Sequence, residues 1–192
     1  MGMHHKLRRV VAARAVRVGA WWELAVVTER VEGGVDLGRW IAEVRQGTRS
    51  REGLGALAEA FGRLVRELHE VGFCHADLQP NNVLVEEMSA LDQEPRLWIL
   101  DLDRSVLCEA QEHSTRLANL GRLLRFVERR ERERGECLTA RDRMRFLRGY
   151  ESERSRRREL WHALAAGVRT RARHGIGWKL ERAFGGVDPR ED

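Results

Sequence analysis

The run His75-Ala-Asp77-Leu-Gln-Pro-Asn-Asn82-Val-Leu-Val85, followed by Leu97-Trp-Ile-Leu-Asp101-Leu-Asp103-Arg104, constrains this chain more than any other stretch. The first run reads as a polar loop feeding a short apolar strand. The second reads as a strand that ends in two carboxylates. Glu86 to Arg96, with Pro95, is a polar turn between them. Asp77 and Asp101 are 24 residues apart, yet a hairpin returns the chain to where it left, so both can face one cleft. The plainer reading of these residues is a turn with Asp caps. Turn chemistry, however, does not require a carboxylate at the end of a buried strand.

The residues before the loop predict a central helix. Leu54, Leu57, Phe61, Leu64, Val65 and Leu68 fall at helical spacing on one broad apolar face, His69 ends the run, and Gly72 stops it. Such a stripe is core. Upstream, residues 1–12 are basic and then apolar, like the tail of a helix. Ala15-Val-Arg-Val18 and Trp22 to Thr28 predict two strands around Gly19, and Glu29 to Gly34 predicts a loop. Asp36 is placed to cap a helix over Leu37 to Val44. Downstream the chain is helical. Leu117, Leu120, Leu124 and Val127 form one helix face. Glu128 to Glu136 is a mixed-charge helix end. Thr139 and Asp142 form a capping box that opens a helix to Tyr150, and a last helix takes in Leu160, Trp161, Leu164 and Val168.

Charge bears on partners. Of 35 basic residues only Lys6 and Lys179 are lysine, and the net charge is +5. That balance favours anionic partners such as nucleotides, phosphorylated glycans or a membrane surface. The Arg-rich stretch from Arg154 to Arg173 reads either as a solvated face or as a patch for anionic headgroups. Three widely spaced cysteines, Cys74, Cys108 and Cys137, give no CxxC pair, against a zinc site or a disulfide framework. Cys74 reads as a small packed residue. No run approaches membrane-spanning length, and no signal peptide is expected at the start.

The pattern His-x-Asp-Leu-x-x-x-Asn, an apolar strand, then Asp, resembles the catalytic core of protein-kinase-like phosphotransferases. With Asp101-Leu-Asp103-Arg104 and the later Arg116-Leu-Ala-Asn-Leu-Gly-Arg-Leu-Leu-Arg125, it is most similar to the lipopolysaccharide core kinases of the Kdo (3-deoxy-manno-octulosonate) kinase type. The resemblance covers roughly Val10 to Tyr150. It implies an α+β, protein-kinase-like fold, mainly the helical C-terminal lobe with a short β remnant of the N-terminal lobe. Residues 1–34 would be that remnant with the hinge, 35–185 the helical lobe with the catalytic loop, and 186–192 a flexible tail.

The same resemblance implies ATP and Mg²⁺ as cofactors and a sugar hydroxyl of the lipopolysaccharide inner core, on Kdo or heptose, as acceptor. Asp77 would be the catalytic base and His75 would brace the loop. Asn82 and Asp101 would hold the metal that bridges the phosphates. Glu29 to Val31 would contact adenine through backbone groups, and Asp103 and Arg104 would line the cleft. The expected setting is the cytoplasmic face of the inner membrane, with peripheral contact to anionic lipid and no nucleic-acid partner. Nothing in the sequence indicates an oligomeric state.

One departure matters. These residues contain no Gly-rich phosphate loop, no strand lysine and no helix with its glutamate partner. About 27 residues precede the hinge, where a complete N-terminal lobe needs roughly eighty. The expectation is a late-starting coding region or a truncated relative, with weak or no transfer by the 192-residue polypeptide. Two rival readings stand beside it: a small-molecule phosphotransferase like those acting on aminoglycosides or choline, and a non-catalytic pseudokinase remnant.

Overall fold

The computed structural model describes residues 10–86, 95–102, 105–107 and 113–167. Asp103, Arg104, Cys108, Lys6, Lys179, most of the turn between the two motif strands, and the chain from 168 onward lie outside the described residues.

The chain opens with an antiparallel hairpin of β1 (Val10–Val18) and β2 (Trp21–Thr28), turned at Gly19 with φ +62°. Residues 10–12, expected at the end of a helix, are the start of β1. Val10 and Val11 are β-branched, and Ala12 pairs with Val27 across the hairpin. The hairpin is exposed along most of its length, with Trp21 80% and Leu24 74% accessible. A two-stranded ribbon of this kind is marginal by itself in water.

Next comes β3 (Gly34–Asp36), which leads straight into α1 (Leu37–Arg45). The Asp36 carboxylate accepts from the Arg39 amide at 2.7 Å, the expected N-cap. Leu37 and Trp40 bury the inner face of α1.

The expected central helix is α2 (Leu54–Glu70). All six residues of its apolar stripe are buried, with Leu64 and Val65 no more than 1% exposed. Each such side chain contributes on the order of 1.5–3 kcal/mol of burial energy. Gly72, at φ +78°, ends the helix in the left-handed conformation that glycine adopts without strain.

The chain then enters β4 (Phe73–Cys74), the polar loop, a 3₁₀ turn at Pro80–Asn82 and β5 (Val83–Glu86). After the turn comes β6 (Leu97–Ile99), antiparallel to β5 with Val83 opposite Ile99 and Val85 opposite Leu97. β3 pairs with the other edge of β5, giving the order β3-β5-β6. A short β7 (Val106–Leu107) pairs with β4, a ladder that two-residue strands give no sequence signal for.

The remaining chain is α3 (His113–Arg134), α4 (Ala140–Tyr150) and α5 over residues 154–167. The capping box at Thr139 and Asp142 forms in full. The mixed-charge end of α3 is only partly solvated. Glu131 accepts from the Leu138 amide at 3.2 Å and pairs with Arg143. Helices α2 and α4 cross closely at two glycines. A Cβ on Gly62 would lie 2.0 Å from the Phe146 carbonyl oxygen, and one on Gly149 would lie 2.0 Å from that of Glu59.

Candidate active site

The polar loop leaves β4 with His75 turned inward and Asp77 turned outward. His75 is 1% exposed and its imidazole is held from both nitrogens. Nδ1 accepts from the Asp77 amide at 3.1 Å, so the neutral ring carries its proton on Nε2, which donates to the Leu100 carbonyl at 2.8 Å. One side chain thus ties the start of the loop to the end of β6. Leu78, next to Asp77, is 1% exposed and anchors the loop into the core.

Asp77 is exposed at the tip. Its Oδ2 accepts from Gln79 Nε2 at 2.7 Å and from Asn82 Nδ2 at 3.3 Å. Asn82 Nδ2 also donates to the Asp77 backbone carbonyl at 2.9 Å. Both bonds use the amide nitrogen, so Asn82 Oδ1 faces away from Asp77 and remains an acceptor for another partner.

Asp101 follows Leu100, whose amide donates to the Asn82 carbonyl at 2.8 Å. Leu100 is therefore bonded at its N–H to Asn82 and at its C=O to His75. The residue after it adopts φ +53°, the only non-glycine left-handed backbone among the described residues. Its carboxylate is exposed and makes no hydrogen bond or ion pair among the described residues. A short polar side chain in the αL region is tolerated, and such outliers gather at functional sites.

These contacts bring together His75, Asp77, Asn82 and the strand end that carries Asp101. Glu29 and Val31 follow β2, and β3, which starts just after them, pairs with β5, which starts just after Asn82. Asp103 and Arg104 lie outside the described residues.

Oxygen donors suit a hard divalent cation. Asn82 Oδ1 and the Asp101 carboxylate supply two, and this fits a metal that takes its remaining ligands from phosphates and water. Among the described residues no three His, Cys, Asp or Glu side chains gather into a protein-only metal cage.

A groove of about 260 Å³ adjoins the loop at Pro80 and Asn81, between α1 and the C-terminal half of α3. Arg39, Arg45, Arg130 and Arg134 line it. Of its acids, Asp36 caps α1 and Glu131 pairs with Arg143. Arg45 and Arg134 have no carboxylate partner among the described residues. Cys74 and Cys137 are buried, Cys74 packed as expected, and burial pushes the Cys137 thiol up.

The lipopolysaccharide kinase (Kdo/WaaP) family matches residues 5–150. This chain belongs to that family. Among relatives, the 3-deoxy-D-manno-octulosonic acid kinase of Xylella fastidiosa (strain 9a5c) is 32% identical over 146 residues, covering 76% of this chain and 53% of that protein. The protein of the same name from Haemophilus influenzae (strain PittGG) is 31% identical over 121 residues, covering 62% of this chain and 45% of that protein. The chain therefore spans about half the length of the curated relatives it matches. Among solved structures, WaaP in complex with acyl carrier protein is similar at TM-score 0.67 and 25% identity, over 89% of this chain and 70% of that one. The family assignment and the mixed α+β, kinase-like fold both agree with the sequence reading.

Three polar residues beneath the loop have no site role in the sequence reading: His69, Asn119 and Tyr150. His69 Nδ1 lies 2.9 Å from the Tyr150 hydroxyl and Nε2 lies 3.0 Å from Asn119 Oδ1. Asn119 Nδ2 donates to the His75 carbonyl at 2.6 Å. The available signal was an asparagine set between Leu117 and Leu120 on the apolar face of α3.

Proposed function

We propose that this chain carries the catalytic loop of an ATP-dependent kinase that phosphorylates a hydroxyl of Kdo in the lipopolysaccharide inner core. The observation that carries this reading is the pair of hydrogen bonds that seat Leu100 between His75 and Asn82. They set the Asp101 strand end against the loop that presents Asp77.

In this reading Asp77 accepts the acceptor hydroxyl's proton and orients its oxygen. Gln79 and Asn82 hold that carboxylate at the loop tip, so little reorganisation is needed when a sugar arrives. Asn82 Oδ1 and Asp101 would hold Mg²⁺, which supplies charge neutralisation at the transferring phosphate. His75 keeps the two halves in register. Glu29 to Val31 would offer backbone groups to adenine, and Asp103 and Arg104 would border the cleft. The arginine groove beside Pro80 and Asn81 supports an acceptor that bears carboxylate or phosphate groups. The exposed arginines of α5, Arg154, Arg156 and Arg158 among them, support contact with an anionic membrane face. No helix among the described residues is long and apolar enough to cross a membrane.

The test joins Mg²⁺-dependent ATP binding, read by thermal shift, with phosphoryl transfer to a Kdo-bearing lipid A acceptor. Binding should be lost in Asp101→Asn. Transfer should fall more than about a hundredfold in Asp77→Asn with binding kept. A chain inert to Mg·ATP, or transfer indifferent to both substitutions, overturns the reading in favour of a non-catalytic role.

A further inference from the structure

The Arg116-to-Arg125 run marks this family type in the sequence, yet the functional reading gives no role to any residue in it. Its one buried polar side chain, Asn119, is 7% exposed. It joins three helices to the loop. We propose that Asn119, oriented by His69 and Tyr150, is a positioning residue that fixes the backbone of the His75–Asn82 loop and so the direction of Asp77. This rests on the functional reading for the loop's role, but not for the geometry.

The bonding direction follows from the loop end. The His75 carbonyl can only accept, so Asn119 must present its NH₂ there, at 2.6 Å. Its Oδ1 then faces His69 Nε2, which must carry a proton to donate across 3.0 Å. Nδ1 of the neutral ring is left with a lone pair, and the Tyr150 hydroxyl donates to it at 2.9 Å. Each of these three contacts then pairs one donor with one acceptor. No other arrangement of the Asn119 amide or neutral His69 ring avoids setting two acceptors or two donors face to face.

The burial of the members reinforces this direction. His69 is 2% exposed and Tyr150 is 8% exposed. Burial lowers the His69 pKa and keeps the ring neutral, and burial pushes the Tyr150 hydroxyl up to about 12, so it retains its proton. Satisfied buried networks are rigid, and a partly satisfied one is costly. His75 is thereby held from three sides: its carbonyl by Asn119, its Nε2–H by the Leu100 carbonyl, and its Nδ1 by the Asp77 amide. Asp77 is two residues further along the same backbone.

The experiment uses the chain as it exists, with no nucleotide present. Amide hydrogen exchange is compared in the native chain, Asn119→Asp and Tyr150→Phe, and imidazole ¹⁵N shifts report the native His69 tautomer. Asn119→Asp keeps the shape and the acceptor for His69 but sets a carboxylate oxygen against the His75 carbonyl. The loop amides of residues 76–79, 81 and 82 should exchange at least about tenfold faster, while amides in the centre of α2 stay within about threefold. Tyr150→Phe should give a smaller rise confined to the same loop, and native His69 should carry its proton on Nε2.

Unchanged loop exchange in either folded variant overturns the proposal, and so does an Nδ1–H tautomer. Equal acceleration of the loop and α2 would show general destabilisation and also count against it. Should Asn119→Asp fail to fold, the native tautomer and Tyr150→Phe decide. None of these readouts involves phosphoryl transfer, so a negative kinase assay falls on the functional reading alone.

Discussion

Leu100 donates its amide hydrogen to the Asn82 carbonyl at 2.8 Å, and the next residue, Asp101, turns into the left-handed region at φ +53°. The strand therefore ends at a point fixed against the loop and then bends into a conformation that costs a non-glycine residue about 1–2 kcal/mol. An exposed carboxylate with no partner among the described residues does not offset that cost by folding contacts.

Asp101→Gly should consequently leave folding stability unchanged or raise it by up to about 1 kcal/mol, because glycine adopts this backbone freely. It should also abolish Mg²⁺-dependent nucleotide binding. Urea titration and a thermal shift with Mg·ATP check the two halves separately. A stability loss well beyond 1 kcal/mol would assign the carboxylate to the fold instead of the site.

The α2–α4 crossing makes a second prediction. Gly149→Ala places a Cβ 2.0 Å from the backbone oxygen of Glu59, and backbone atoms in a helix cannot step aside. The helices must separate, at a cost of about 1–3 kcal/mol or more. Gly121→Ala in α3 is the contrast. Its Cβ would meet only the end of the flexible Arg125 side chain, at 3.3 Å. Alanine is the better helix former by about 1 kcal/mol, so this change should be neutral or stabilising. Denaturation midpoints of opposite sign identify the crossing as the tight contact.

Legibility in the sequence tracked the range of the interactions. The stripe from Leu54 to Leu68 announced α2 because its periodicity is local, and Asp36 and Thr139 announced their helices because capping is decided within one turn. The kinase-like loop was legible from spacing and family likeness. The β4–β7 ladder was not, since two-residue strands carry no periodicity. The start of β1 was misread because Val10 to Ala12 suit a helix end as well as a strand. The His69–Asn119–Tyr150 chain was not legible either, because its members are 50 and 31 residues apart in sequence. Only tertiary packing brings them within hydrogen-bond distance.

The capping box at the head of α4 is more than a local motif. Asp142 accepts from the Thr139 amide at 2.9 Å and the Thr139 hydroxyl at 2.7 Å, and also pairs with Arg51, which donates to the Cys137 carbonyl at 2.7 Å. Thr139→Ala should cost about 1 kcal/mol, as a lost cap does. Asp142→Ala should cost more, since it also releases Arg51 from the α3–α4 connection. Equal losses in urea titrations of the two variants would show that the Arg51 contact contributes nothing to stability.

The buried state of His69 makes stability depend on pH with a definite sign. Burial lowers its pKa below 6.5, with the nearby Arg116 acting in the same direction and the Asn119 bond opposing. Below pH 6.5 the unfolded chain binds a proton that the folded chain refuses. The unfolding free energy should therefore fall as pH drops from 7 towards 5, by at most about 1.4 kcal/mol per pH unit for this one group, and should be flat with respect to it above 7. Glu59, held low mainly by its hydrogen bond to Arg148, acts in a different window. Its contribution is present above the carboxylate value of 4.5 and is lost only as pH falls below it. His69→Gln removes the histidine titration, so its stability should be lower at pH 7 but depend less on pH between 7 and 5. Urea titrations of both chains across that interval measure the two slopes, and parallel slopes would mean that His69 is not the group that titrates.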